Sequence, residues 1–217
     1  MRLVVVNTNP HASTRAGTRA LVSAFRRRLG PADTVVERHF ARFDAAWLAS
    51  HADGVSLGPQ GTPFEAYGPA AREHLFCTLR GLTVPTLAIC GGHQALVLAH
   101  GGTIAPVSGQ PLGGSYAGLE KQVGPKAVQI HVAGDPLVSA LPPTACLVAS
   151  HVEAVSVLPD AFELVLIGAP GTPCRVQGVR LRGLPVWGLQ GHPERGADGG
   201  VLLDRFVALV QSSRSSI

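Results

Sequence analysis

The chain has 217 residues, of which 46% are hydrophobic and 15% are charged. This composition supports a sizeable core and excludes an intrinsically disordered chain. The length fits one α/β domain, since single domains commonly have up to about 250 residues. The formal net charge is +4, but the cationic run Arg26–Arg28 is not interleaved with aromatic residues for base stacking. We interpret this run as the end of a helix, with a docking patch as the alternative, and expect no nucleic-acid partner.

The lengths of the apolar segments and the spacing of the cysteines indicate where in the cell the protein is located. Only four apolar residues, Leu3–Val6, follow Arg2, which is too few for a signal peptide. The longest apolar stretches are strand-sized, whereas a membrane-spanning helix needs about 20 residues. We therefore expect a cytoplasmic protein that binds no membrane. The cysteines form no C-x-x-C pair and have no spacing typical of a zinc site or a disulfide framework. We expect reduced thiols, no metal and no cofactor, and we expect three of the four cysteines to be core residues: Cys77, Cys146 and Cys174.

The first half of the chain alternates predicted strands and helices. Apolar runs predict strands at Leu3–Val6, Thr34–Glu37, Gly54–Leu57 and Thr86–Ile89. Helical periodicity predicts helices over Ser13–Leu29, Pro69–Arg80 and Gly92–His100. This alternation is typical of a parallel sheet with helices on both faces.

The second half predicts short strands separated by Gly, Pro and Asp turns, then a helix over Val201–Val210 and a frayed tail over 212–217. The strands are expected at Val128–Val132, Ala145–Ser150, Val155–Leu158, Glu163–Ile167, Arg175–Leu181 and Pro185–Leu189. We therefore expect a three-layer α-β-α fold, with a mostly parallel open sheet and an appended antiparallel section.

Cys90 ends one of the predicted strands and is followed by Gly91 and Gly92. Glycines allow a sharp turn from strand to helix, and such a turn projects a nucleophile from the sheet, as in serine hydrolases with G-x-S-x-G. The turn would also place the thiol at a helix N-terminus, where partial positive charge favours the thiolate. Cys90 is therefore either a nucleophile or a core cysteine before a glycine-rich turn.

A second segment, G188-L-Q-G-H-P-E194, supplies a base and a carboxylate. His192 follows a predicted strand end, and Glu194 is near enough in sequence to hydrogen-bond its imidazole. That bond would hold the tautomer that accepts a thiol proton and later protonates a leaving amine. Because a nucleophilic thiol needs a base and the base needs an orienting group, the two segments together favour catalysis at Cys90.

Three segments of the chain resemble motifs of the class I glutamine amidotransferases, and they occur in the same order along the sequence. The family pattern around the nucleophile is approximately G-I-C-x-G-x-Q, and A88-I-C-G-G-H-Q94 matches it with Ala in the first place. The later family motif is approximately F-H-P-E, and G191-H-P-E194 matches it with Gly for Phe. The third segment is the glycine-rich D53-G-V-S-L-G-P-Q-G-T-P63. The likeness covers nearly the whole chain and implies one flavodoxin-like amidotransferase domain over residues 1–217.

The resemblance also implies roles for individual residues. Cys90 would attack the side-chain amide of glutamine, His192 would act as base and acid, and Glu194 would orient His192. The thioester would be hydrolysed to glutamate, and the ammonia would pass to a partner. The N–H of Gly91 would be one oxyanion donor, and removal of such a donor commonly lowers the rate by about 100- to 1,000-fold.

The glycine-rich loop departs from the family pattern, which is S-x-G-P-G-x-P or similar. If the loop is aligned on Pro63, then Pro59, which has no N–H, stands where a glycine donor is expected. Alignment on Gly58 restores the donor. We therefore expect Gly58 to be the second oxyanion donor, with Gly61 as the fallback.

Three further residues are candidates for the substrate pocket. Gln94 matches the family glutamine that contacts the substrate, and the alternative is a helix residue with a local hydrogen bond. Ser150 and His151 resemble the region that lines the glutamine pocket. His151 is alternatively an ordinary loop histidine.

The sequence leaves three functions open. The first is a stand-alone glutaminase that supplies ammonia to a separate synthase or synthetase, since the chain has neither a P-loop nor a dinucleotide motif for an acceptor domain. The second is a hydrolase of γ-glutamyl amides or peptides that needs no partner, because the same triad serves it. The third is a non-catalytic scaffold with a degenerate site, which the altered loop and Gly191 would favour.

Overall fold

The computed structural model describes residues 1–112 and 114–214. Within them the strands, in chain order, are β1 (Arg2–Asn7), β2 (Thr34–His39), β3 (Gly54–Leu57), β4 (Thr86–Ile89), β5 (Thr103–Pro106), β6 (Gln122–Ile130), β7 (Cys146–His151), β8 (Glu153–Val157), β9 (Phe162–Gly168), β10 (Val176–Leu181) and β11 (Val186–Leu189). The α-helices are α1 (Ala16–Arg26), α2 (Ala45–His51), α3 (Pro69–Arg80), α4 (Gly91–Ala99) and α5 (Ala197–Arg214).

One large sheet organises the molecule, with strand order β2-β1-β3-β4-β11-β10-β9-β6-β7. The strands from β2 to β11 in this order are parallel, and the strands from β10 to β7 pair antiparallel. β5 and β8 form a separate two-stranded ribbon. The predicted α/β fold, with a parallel half and an appended antiparallel section, is confirmed.

Alternation along the strands divides the core between the two faces of the sheet. In β1, Leu3 and Val5 pack into the cluster that contains α1 and α5, whereas Val4 and Val6 pack into the cluster that contains α3 and α4. Successive side chains of a strand point to opposite faces. A strand covered by helices on both faces therefore has an uninterrupted apolar centre, as β1 has at Leu3–Val6.

Several elements differ from the predictions. The helix α2 was not expected; it begins after Asp44, whose Oδ1 accepts the backbone N–H of Trp47 at 2.8 Å. β5 was also not expected, and β6 begins at Gln122 rather than Val128. α5 runs through Arg214, so the expectation of a frayed tail is wrong for 212–214 and lies outside the described residues for 215–217.

The cysteine environments confirm the core prediction only in part. All four cysteines are free thiols. Cys174 is buried, and burial raises the pKa of its thiol to about 12. Cys146 is partly buried, but Cys77 is exposed, so the core assignment was wrong for Cys77. Its side chain lies on the outer face of α3, where Sγ is 3.0 Å from Glu73 Oε1 and from Arg80 Nη2.

The cationic run lies at the end of a helix, as interpreted. Arg26 is the last residue of α1, and Arg28 packs against α5, with its Nε 2.7 Å from Asp204 Oδ1. Its Nη1 donates to the carbonyl oxygen of Ala24 at 2.9 Å, which satisfies a helix-terminal acceptor. No helix of the described ranges is long and apolar enough to cross a membrane.

Candidate active site

Cys90 stands on a strained turn between β4 and α4. Its backbone has φ 52° and ψ −110°, and it is the one non-glycine residue with positive φ in the described part of the chain. Such a conformation costs about 1–3 kcal/mol and persists only where the surroundings impose it. Here Cys90 N–H donates to Leu189 O at 2.8 Å, which ties the turn to β11.

Gly91 and Gly92 are required by close packing at the start of α4. A Cβ on Gly92 would lie 2.8 Å from the carbonyl oxygen of Leu57 at the end of β3. A Cβ on Gly91 would collide with the side chain of Gln60 and lie 2.9 Å from its backbone nitrogen. The two glycines thus let the loop after β3 approach the residue next to the thiol.

His192 and Glu194 form a buried pair just after β11. His192 Nδ1 lies 2.7 Å from Glu194 Oε1, and their side chains are only 3% and 1% exposed. Because a carboxylate can only accept, Nδ1 carries the hydrogen of this bond. The neutral ring then presents Nε2 as an acceptor, which is the tautomer that a base for the thiol requires.

The charged form of His192 is stabilised by its neighbours. Burial alone would lower its pKa, but the interactions with Cys90 and Glu194 outweigh burial and raise the pKa to about 9. Among the described residues Nε2 of His192 makes no hydrogen bond of regular geometry, and the neighbouring group that acts on it is the Cys90 thiol. The hydrogen bond to Glu194 therefore stabilises the protonated form of the ring.

The strand order explains why the thiol and the imidazole meet. β4 and β11 are parallel neighbours, with Ile89 paired to Leu189, so Cys90 and the segment after Leu189 leave the sheet at the same edge. A hydrogen bond from His192 N–H to Val148 O, 2.8 Å long, fixes the second loop against β7. Two segments about 100 residues apart in sequence are therefore joined by one strand pair.

A cavity of about 470 Å³ opens over this edge of the sheet. It holds six of the predicted site residues and adds others that the sequence did not single out. The lining residues are Asn9, Thr14, Ala16, Gly17, Pro59, Gln60, Gly61, Cys90, Gln94, Tyr116, Leu119, Lys121, Ser150, His151, Val152, Glu153, His192 and Arg195. Among the predicted residues, Glu194 lies behind His192, Gly91 lies beneath Gln60, and Gly58 is buried away from the cavity.

Gln94 and His151 are held by the backbone of one residue. Gln94 Nε2 donates to the carbonyl oxygen of Glu153 at 2.6 Å and to Gln190 Oε1 at 3.2 Å. These bonds cross 59 and 96 residues of sequence, so the alternative of a local helix bond is wrong. His151 Nδ1 lies 3.0 Å from the same carbonyl oxygen, and burial lowers the pKa of His151 to about 4. His151 is therefore a neutral side chain of the cavity wall.

Glu153 and Tyr116 form a polar pair that sequence reasoning missed. Tyr116 donates its hydroxyl hydrogen to Glu153 Oε2 at 2.7 Å, and both residues line the cavity. Burial raises the pKa of each group. Glu153 could have been predicted from the sequence, because it follows His151 by two residues. Tyr116 could not, because it lies in a loop that carries no periodic pattern.

The glycine-rich loop does not present both of its predicted donors to the cavity. The N–H of Gly58 is donated to Val6 O at 2.9 Å. Gly61 lines the cavity, and no atom lies within 4 Å of the position that a Cβ would take on it. As the loop is folded, Gly58 has no N–H to offer a substrate.

The described residues contain no cluster of three or more histidine, cysteine, aspartate or glutamate side chains that could hold a metal ion. The carboxylate of Glu194 is oriented on His192 instead. The cavity wall offers the thiol of Cys90, the imidazoles of His151 and His192 and the carboxylate of Glu153.

Comparisons with known proteins identify relatives of this chain. One relative, from Methanosarcina mazei, is a subunit of a glutamine-hydrolysing GMP synthase; it is 33% identical over 149 residues, covering 68% of this chain and 67% of the relative. The corresponding subunit of Halobacterium salinarum is 32% identical over 162 residues, covering 74% of this chain and 77% of the relative. The glutamine-hydrolysing GMP synthase of Porphyromonas gingivalis is 30% identical over 156 residues, which make up 71% of this chain but 28% of that protein.

The fold has a solved counterpart, and a family model covers most of the chain. A protein of Thermoplasma acidophilum, solved as a candidate GMP synthase subunit, superposes with a TM-score of 0.73 at 21% identity, over 100% of this chain and 96% of that one. The model of the class I glutamine amidotransferases matches residues 18–207. With this match over most of its length, the chain belongs to the class I glutamine amidotransferase family.

Proposed function

We propose that the protein hydrolyses glutamine through Cys90, His192 and Glu194 and delivers the ammonia to a separate synthase or synthetase. The observation that carries the proposal is the buried pair of His192 and Glu194 beside a thiol that stands on a strained turn. A core cysteine has no need of that conformation. The cavity above the thiol supplies room for an amino-acid substrate.

Each step can be written with the residues present. The thiol of Cys90 passes its proton to His192 Nε2, and the sulfur attacks the side-chain carbonyl carbon of glutamine. The C–N bond then breaks, and the nitrogen leaves as ammonia with the proton that His192 returns. A water molecule, deprotonated by His192, attacks the thioester carbonyl carbon. Its C–S bond breaks, which yields glutamate and the free thiol.

We assign supporting roles to the remaining predicted residues. Gly91, at the first turn of α4, has an N–H with no partner inside the helix and would donate it to the oxyanion. Gln94, Ser150 and His151 would form the wall against which the substrate lies. Gln94 supports this role most directly, because its amide is already fixed by Glu153 and Gln190.

The partner is inferred from the relatives. Two of them are single subunits of glutamine-hydrolysing GMP synthases, and the matched part of the Porphyromonas protein is about a quarter of its length. By analogy, a separate ammonia-dependent synthetase of the GMP synthase type is the first partner to test. We expect low glutaminase activity from the chain alone and a rise on addition of this partner. The free thiols agree with our expectation of a cytoplasmic location.

Selective labelling tests the nucleophile. A diazoketone analogue of glutamine should modify Cys90, and excess glutamine should protect it. Cys90→Ala should abolish both the labelling and the hydrolysis of glutamine. The matched control is Cys77→Ala, which removes the exposed thiol and should leave both intact.

Two outcomes would contradict the proposal. Equal labelling of Cys77 and Cys90, with no protection by glutamine, would favour a non-catalytic scaffold. Faster turnover of γ-glutamyl amines or peptides than of glutamine, with no response to a synthetase, would favour the partner-independent hydrolase.

A further inference from the structure

An apolar strip lies uncovered beside the catalytic cavity. It consists of Val123, Pro125 and Ala127, and we call it the β6 strip. We propose that the synthetase docks on this strip and that acidic groups around its docking surface face Lys121 and Arg195. The inference rests on the proposed function, from which it takes the partner, and it adds the surface and the charge by which that partner is recognised.

The β6 strip is exposed although β6 is an interior strand of the main sheet. β6 lies between β9 and β7, and its exposed residues at 123, 125 and 127 alternate with more buried ones. Val123 is 59% exposed. Antiparallel sheets commonly leave one face in water, but that face is normally polar. Three apolar residues in a row on such a face therefore indicate contact with another molecule.

Strand pairing places one end of the strip at the cavity. Val123 pairs with Ser150, and Pro125 pairs with Val148, in the ladder between β6 and β7. Directly paired side chains are close neighbours on one face of a sheet, so the partly buried Val148 widens the apolar surface. Ser150 lines the cavity, as does Lys121, which directly precedes β6. A protein bound to the strip would therefore border the space in which ammonia is released.

The cavity rim at this end of the strip is cationic. Lys121 and Arg195 line the cavity and are exposed. Among the residues that the structure describes, Lys121 forms no ion pair, even with the adjacent Glu120. Arg195 Nε lies 3.5 Å from Glu194 Oε1, but that oxygen is 2.7 Å from His192 Nδ1. Since β6 and β7 contain no Asp or Glu, the two cations complement an acidic surface.

An apolar centre with a charged rim is the usual anatomy of a protein interface. The β6 strip has no aromatic side chain on which a base could stack, so it fits an acidic protein better than a nucleic acid. We therefore expect the docking surface of the synthetase to carry apolar side chains at its centre and carboxylates at its edge.

Two substitutions at one position test the surface and its charge separately. Val123→Glu and Val123→Lys both remove the apolar contact, but only glutamate repels an acidic partner. Titration calorimetry with the ammonia-dependent synthetase subunit of the same organism should show a Kd raised by about tenfold or more for Val123→Glu, with a smaller rise for Val123→Lys. The matched control is Val157→Glu on β8, because Val157 is 56% exposed. Its Kd should change by less than about twofold.

Glutamine hydrolysis without the synthetase shows whether the variants are folded. Val123 and Val157 do not line the cavity, so kcat/KM for glutamine should stay within about twofold of the wild-type value in all three variants. Only the stimulation by the synthetase should be lost in Val123→Glu. Raising the salt concentration from about 50 mM to about 500 mM should weaken wild-type binding, because salt screens the charges of the rim.

The outcomes separate the surface from the proposed function. Equal Kd values for the wild type and Val123→Glu would overturn the surface, as would an equal loss in Val157→Glu. An equal loss in Val123→Lys would overturn the acidic complement. A dimer of this chain that Val123→Glu dissociates, with synthetase binding unchanged, would assign the strip to a second copy. A wild-type chain that hydrolyses glutamine but binds no synthetase would overturn the docking and the partner together, whereas one that never hydrolyses glutamine contradicts the proposed function itself.

Discussion

The positive φ of Cys90 costs free energy locally. A positive φ is unfavourable for any residue with a Cβ, but it turns the chain sharply at Cys90, whose thiol interacts with His192 and raises the pKa of the imidazole. The neighbouring strand holds the turn through Leu189 O, and Gly91 and Gly92 relieve the crowding that would otherwise follow. If Cys90 is the nucleophile that we propose, the conformation that serves its reactivity lowers the stability of the fold.

Two substitutions of Cys90 measure the free-energy cost of its positive φ. Cys90→Gly and Cys90→Ala both remove the sulfur, but only glycine removes the Cβ that makes φ 52° unfavourable. After allowing for the greater freedom of glycine in the unfolded chain, we expect the glycine variant to be about 1 kcal/mol more stable than the alanine variant. Urea unfolding of the two variants gives this difference.

A matched substitution in the same element shows the reverse sign. Ala95 lies inside α4, where glycine is about 1 kcal/mol less favourable than alanine. Ala95→Gly should therefore lower the unfolding free energy. If Cys90→Gly is no more stable than Cys90→Ala, the turn stores no strain.

At the scale of elements, the site depends on how closely α4 approaches the end of β3. Gly92 permits this approach, because a Cβ there would meet both the side chain and the carbonyl oxygen of Leu57 at 2.8 Å. The same contact aligns the loop that contains Gln60 with the first turn of α4. A shift of the helix would move the thiol and the loop apart.

Gly92→Ala should weaken both the fold and the site. Overpacking of this kind costs about 1–3 kcal/mol, and Leu57 O is a backbone atom that cannot rotate away. We expect a lower melting temperature and a fall in kcat/KM for glutamine. Gly134→Ala is the matched control, since no atom lies within 4 Å of its Cβ position, and a change smaller than about 0.5 kcal/mol is expected there. Equal effects of the two substitutions would exclude the packing argument.

At the scale of the whole molecule, the sequence predicted the parallel half better than the rest. Gly54–Leu57 and Thr86–Ile89 were predicted at the bounds observed, because buried strands of a parallel sheet are continuous apolar runs between turns. The start of β6 was missed because Gly124, Pro125 and Lys126, which are uncommon inside strands, interrupt its apolar pattern. α2 was missed because it buries only Leu48.

The site was predictable where a motif is local and not where it arises from tertiary contacts. Cys90, His192 and Glu194 stand in two short segments, and their meeting follows from the pairing of β4 with β11. Tyr116 lines the cavity from a loop, and no motif or spacing in the sequence predicts that position. The loss of Gly58 as a donor depends on its bond to Val6 O, which only the folded chain reveals.

The buried side chain of His93 should make the stability of the whole fold depend on pH. Burial lowers the pKa of His93 to about 3, and neither of its ring nitrogens has a hydrogen-bond partner within 1–112 and 114–214. In the unfolded chain a histidine has a pKa of about 6.5. The unfolded state therefore binds a proton below about pH 6.5 while folded His93 stays neutral, so stability is lost as the pH falls from about 6.5 toward 3.

Replacement of His93 should make the free energy of unfolding less dependent on pH below about pH 6.5. Between pH 7 and pH 5 the unfolding free energy of the wild type should fall by about 2 kcal/mol more than that of His93→Leu. Urea unfolding at the two pH values measures the difference. Replacement of the exposed His11 should leave the wild-type fall in place. An identical pH dependence of the wild type and His93→Leu would show that His93 binds its proton in the folded state.

The hydrogen bond from His192 to Val148 has a consequence for the newly made chain. On the ribosome, the thiol of Cys90 is synthesised about 100 residues before its base, a delay of about 5–20 s at ordinary elongation rates. Even then, the base is fixed only when β7 has joined the far side of the sheet. The nascent polypeptide therefore carries Cys90 without its proposed base until residue 192 has been made and β11 pairs with β4.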